Sequence, residues 1–62
     1  MARVVVIEAK RESYSIGSLY ETMKVKELID YLSQFDGDAD VVLSHDNGYT
    51  YGGITEDNIE LR

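Results

Sequence analysis

The pair Asn47-Gly48, set between the strand-like runs Asp40 to His45 and Tyr49 to Ile54, constrains this chain more than any other feature. Asn-Gly suits the two positive φ angles of a type I′ turn, whose twist matches that of two antiparallel strands. A turn at that pair fixes a register in which Asp46 faces Tyr49, Ser44 faces Tyr51 and Val41 faces Ile54. Strand neighbours point to opposite faces, so Val41, Leu43 and Ile54 share one face, expected against a helix, and Val42, Ser44, Tyr49 and Tyr51 share the other. Gly52-Gly53, inside the second run, is expected to mark a bulge or a close backbone approach.

The helix comes from the stretch before the hairpin. Val25, Leu28, Ile29, Leu32 and Phe35 recur at three- and four-residue steps, with Lys26, Glu27, Asp30, Ser33 and Gln34 on the other side, which predicts one amphipathic helix. Two starts fit it: Thr22 as a cap, or Glu27 folding back on the amide of Lys24 as half of a capping box. Its end falls at "DGDAD", where Gly37 offers a left-handed residue. Arg3 to Ala9, rich in β-branched residues, predicts a strand with Val4 and Val6 on one face and Val5 and Ile7 on the other, apolar on both sides. Tyr14 to Tyr20 predicts a second, antiparallel strand carrying Tyr14, Ile16 and Tyr20 on one face, and Asn58 to Arg62 a last short one. The expected fold is a single α+β domain over residues 1–62, with one helix packed on a four- or five-stranded antiparallel sheet in the order β-β-α-β-β-β.

Sixty-two residues leave such a domain little core, and the sequence has no cysteine and one histidine. A disulfide and a thiolate or imidazole-rich metal site are thereby excluded, leaving close packing or self-association to stabilise the fold. No cofactor is expected. No apolar run approaches the length of a membrane span, and "MARVVVIEAKRE" is too short in apolar residues for a secretory signal, so a soluble, cytoplasmic protein is expected.

Charge is distributed unevenly. From Glu27 to Glu60 there are nine acids and no lysine or arginine, whereas residues 1–26 hold five bases against three acids. Nucleic-acid binding depends on clustered Lys and Arg, so a phosphate backbone is an unsuitable ligand for the second half. A basic protein surface suits it better, with Asp36, Asp38, Asp40 and Asp46 as candidate contacts.

Three chemical motifs fail on spacing. Ser44-His45-Asp46 cannot form a relay, because strand neighbours diverge, and His45 is expected to sit across from Thr50. Asp36, Asp38 and Asp40 alternate like the opening of a calcium loop, but that loop requires glycine and glutamate where this chain has Val41 and Asn47. Gly52-Gly53 lacks the lysine and helix start of a phosphate loop.

The tyrosines carry more. Tyr31 belongs at the edge of the core. Tyr49 and Tyr51 turn away from the helix, and with Val42 and either Tyr14 or Tyr20 they define a candidate contact face of the kind enriched where proteins meet. Its alternative use is a solvated cross-strand ladder that stiffens the hairpin. The simplest partner for such a face is a second copy, giving a homodimer.

The segment "MKVKELIDYLSQFDGDADVVLSHDNGYTYGGI", residues 23–54, resembles small uncharacterised phage and bacterial accessory proteins in which a VKELI-type helix is followed by an acidic turn and a GYTYG hairpin. The first 22 residues depart from that pattern and form an added hairpin on this reading. The resemblance implies an accessory protein that binds and blocks a host machine. The functional expectation is a non-enzymatic protein-binding module, an inhibitor or adaptor of a host defence protein. Two alternatives stand beside it: a structural self-associating protein, and a small enzyme or metal-binding domain, which has the least support.

Overall fold

A computed structural model describes residues 3–62. It contains strand β1 (Val4–Glu8), helix α1 (Val25–Leu32), strand β2 (Asp40–His45) and strand β3 (Thr50–Gly53), with short 3-10 turns at Ile16–Ser18 and Glu56–Asn58. The sheet has three strands in the order β1-β2-β3 and is mixed: β1 runs parallel to β2, and β3 antiparallel to it. The expected four- or five-stranded antiparallel sheet is therefore wrong, and the order is β-α-β-β.

Both lost strands fail for the same reason, which is that short polar side chains capture the local backbone first. In "SYSIGS" the Ser13 hydroxyl accepts the Ser15 N–H at 3.1 Å and the Ser15 hydroxyl accepts the Gly17 N–H at 3.2 Å. The Leu19 N–H then donates to the Ile16 carbonyl at 3.3 Å, closing a 3-10 turn where a strand was expected. At the other end the Asn58 amide oxygen accepts from the Thr55 N–H at 3.2 Å and from its hydroxyl at 3.0 Å. The chain from Asn58 onward joins no strand. With no hairpin partner for β1, the connection containing α1 is long enough to carry the chain back in parallel beside it.

Helix α1 begins as the second of its two expected starts: the Glu27 carboxylate accepts the Lys24 N–H at 2.8 Å. It ends through Ser33, whose N–H donates to the Ile29 carbonyl at 3.0 Å and whose hydroxyl donates to the Asp30 carbonyl at 2.6 Å. Gly37 does not adopt positive φ. Instead the Asp36 carboxylate accepts the Asp38 N–H at 3.0 Å, an aspartate-closed turn that delivers the chain into β2.

The helix does not cover the sheet. No Cα of α1 lies within 8 Å of a Cα in any strand. No apolar residue among those described is buried, and Val25, Leu28 and Ile29 remain 77%, 41% and 65% exposed. Their stripe is present as expected, but among the described residues no strand approaches it. The Cα radius of gyration is 13.0 Å, against about 11 Å for a compact chain of this length.

The hairpin follows its expected register, with Ser44 opposite Tyr51 and His45 opposite Thr50. Asn47 and Gly48 take φ of 56° and 90°, the values a type I′ pair requires. Asp46 is also left-handed at 53°, so the turn is wider than two residues, and the Tyr49 N–H is shared between the carbonyls of His45 (3.0 Å) and Asp46 (3.3 Å). Gly52 and Gly53 pair regularly with Leu43 and Val42, without the expected bulge. A Cβ on Gly48 would be strained by the positive φ and would lie 3.1 Å from the Tyr51 hydroxyl. Gly48→Val is expected to lower stability by more than about 1 kcal/mol. An unchanged urea midpoint would show that this turn does not set the register.

Candidate functional site

The pairing sorts the sheet into two faces. Val5, Ile7, Val41 and Leu43 lie on one, half-buried; Val4, Val6, Val42, Ser44 and Tyr51 lie on the other. On that second face Ser44 is 3% exposed, the one buried residue among those described, because it sits on the central strand β2 between Glu8 and Tyr51. Around it the apolar side chains are open: Val4 and Val6 are about half exposed and Tyr51 is 62% exposed.

Tyr49 and Tyr51 differ in how they are held. Tyr51 leans back over the turn, its hydroxyl beside Gly48, whereas Tyr49 occupies the turn and is 83% exposed. A further tie is long-range: the Asn47 N–H donates to the Glu8 carboxylate at 3.3 Å, fixing the hairpin tip to the end of β1. Tyr14 and Tyr20 belong to no strand and are fully solvated, so the expected extension of the tyrosine face through a second strand is not made. Tyr31 packs edge-to-face on Phe35, with ring centroids 6.0 Å apart, on the helical segment away from the tyrosine hairpin.

The four aspartates do not form one patch. Asp36 and Asp38 belong to the turn before β2, Asp40 starts β2, and its N–H donates to the Arg3 carbonyl at 3.0 Å. Asp46 lies past the far end of the strand, about 20 Å along it. Two separate acidic ends therefore replace the continuous run.

The remaining chemistry stays dispersed. His45 points to the face opposite Ser44, with its imidazole beside Gly52. Among the described residues no three His, Asp or Glu side chains are grouped to hold a metal. Hydrogen bonds between side chains, among those residues, are limited to Thr55 with Asn58 and Arg62 with Glu60. Neither pair offers a nucleophile with a positioned base.

One feature escaped the sequence reading: an open groove of about 320 Å³ between β1 and the end of the helical segment, lined by Arg3, Val4, Val6, Phe35 and Asp36 among others. Its signal was present in two places, a first strand apolar on both faces and an apolar stripe ending at Phe35. Among the described residues no helix is long and apolar enough to cross a membrane. No protein-family model, curated protein or solved structure matches the chain.

The two hairpin tyrosines are expected to separate in stability. Tyr51→Ser removes a ring that packs over the turn and the buried Ser44 and should lower the urea midpoint, while Tyr49→Ser should stay within about 0.5 kcal/mol of the wild type. Equal losses would mean that the two rings are held alike, contrary to their placement.

Proposed function

We propose that this chain is a non-enzymatic protein-binding module of the phage or mobile-element accessory kind, an inhibitor or adaptor acting on a host protein in the cytoplasm. The observation that carries the reading is the sheet face of Val4, Val6, Val42 and Tyr51, which with Tyr49 beside it leaves branched and aromatic surface in solvent over a hydrogen-bonded ladder. Surface of that composition is characteristic of contact sites. The dispersed polar groups favour binding over catalysis, and the acid-rich stretch from Glu27 to Glu60 suits a basic protein partner better than nucleic acid.

Pull-down from host lysate with mass spectrometry of what is retained tests this reading. The expected result is one stoichiometric heteropartner that is lost when Tyr49 and Tyr51 are both changed to Ser. Retention of that partner by the double variant would remove the tyrosine face from the proposal. A metal- or substrate-dependent thermal shift would instead revive the enzymatic alternative.

Charge enters separately. Replacing Asp36, Asp38 and Asp40 with Asn is expected to slow association with a basic partner and flatten its salt dependence. An unaltered on-rate and salt slope would reduce that turn to a solvated connection. The same substitution spares the turn itself, since asparagine preserves the side-chain oxygen that closes it.

A further inference from the structure

We propose that β1 pairs edge to edge with β1 of a second copy of this chain, antiparallel about a two-fold axis at Val6, continuing two three-stranded sheets into one of six. The backbone supplies the first argument. The Arg3 carbonyl accepts from Asp40 and the Ala9 N–H donates to Ser44, both toward β2. Alternate residues of a parallel strand bond to the same neighbour, so Arg3, Val5, Ile7 and Ala9 face β2 while Val4, Val6 and Glu8 direct their N–H and C=O groups outward. No backbone or side-chain group among the described residues bonds to those outward groups.

The edge also lacks the devices that keep sheet edges apart. Between Arg3 and Glu8 it is four consecutive β-branched residues, with no proline, lysine or interruption of pairing. β3, the opposite edge, is shorter and ends in two glycines. An antiparallel pair centred on Val6 uses all three outward residues, matching Val6 with Val6 of the second copy and Val4 with Glu8. The axis stands perpendicular to the sheet, so each face stays continuous across the joint, and the groove beside Val4, Val6 and Phe35 lies next to it.

Charge selects a second copy as the occupant. A two-fold contact brings like charges together, and it is least costly where the acids are fewest. β1 belongs to the segment of residues 1–26 with five bases and three acids, whereas a two-fold contact through the hairpin would oppose two copies of the base-free stretch.

Light scattering of the wild-type chain at micromolar concentration should return twice the 7.0 kDa chain mass. Hydrogen exchange on the same protein should show the amides of Val4, Val6 and Glu8 protected, with protection lost on dilution while Val5 and Ile7 keep theirs. The absence of native cysteine makes a cross-link clean. In this pairing two Val6 residues form a hydrogen-bonded pair with Cα atoms about 5.5 Å apart, within disulfide reach, so Val6→Cys should oxidise to a covalent dimer. Val5→Cys, offset by two residues from its copy, should not. A wild-type monomer, unprotected Val4 and Val6 amides in the concentrated sample, or oxidation of Tyr49→Cys in place of Val6→Cys would each overturn the proposal. Because the backbone edge of β1 and the hairpin tyrosines are different surfaces, loss of the dimer leaves the heteropartner reading standing, and loss of the heteropartner leaves the dimer.

Discussion

The sheet of this chain hangs from the parallel ladder between β1 and β2. It ties residues near the start to residues after the helix, with Asp40 donating to Arg3 at one end and Ala9 donating to Ser44 at the other. The hairpin is then held twice, once by its own register with β2 and once by the Glu8 carboxylate on the Asn47 amide. The helix contributes none of this, since it makes no close approach to a strand. Loss of the ladder would leave local turns, an isolated β2–β3 hairpin and an eight-residue helix, each marginal by itself in water.

How much of this was legible in the sequence depended on whether a pattern was local or not. The Asn47-Gly48 register, the faces it implies and the Glu27 cap on Lys24 are all fixed by neighbours within a few residues, and they are found where the sequence puts them. The parallel partnership of β1 is a long-range choice. The sequence reading gave β1 the next apolar-looking run, Tyr14 to Tyr20, as its antiparallel neighbour. Hydrophobic alternation there competes with Ser13 and Ser15, each able to hold a backbone amide two residues on, and the serines win. Once that run is a loop, the tyrosine face shrinks to the hairpin, and Tyr14 and Tyr20 no longer belong to it. The spread of the acidic residues shows a related limit. Numbering made Asp36 to Asp46 look contiguous, but a six-residue strand in the middle places its ends far apart.

The missing core has physical consequences. Folding a chain costs roughly 1–2 kcal/mol of backbone entropy per ordered residue, and apolar burial is the main opposing term. Here no apolar side chain among the described residues is buried, while a branched strand, an amphipathic helix and two hairpin tyrosines all keep surface in water. The sequence nevertheless has the patterning of a protein that buries such residues: its helix stripe is regular and its first strand is apolar on both faces. A surface laid over what the chain leaves open would remove that disagreement between pattern and burial.

The two-fold joint proposed at β1 would also change what the tyrosine face can do. With its axis perpendicular to the sheet, it would place Val42 and Tyr51 of both copies on the same side. Counting from β3 to its equivalent across the joint gives five strand spacings, about 24 Å. A partner with two matching epitopes would then meet two hairpins at a set distance, and its second contact would form at an effective concentration fixed by the sheet. A module with a face as small as one hairpin gains from this arrangement, since two weak contacts held on one rigid ladder bind more tightly than either alone. In the proposed dimer the edge and the face would be separable in chemistry and coupled in effect: the edge would set the geometry in which the face is presented.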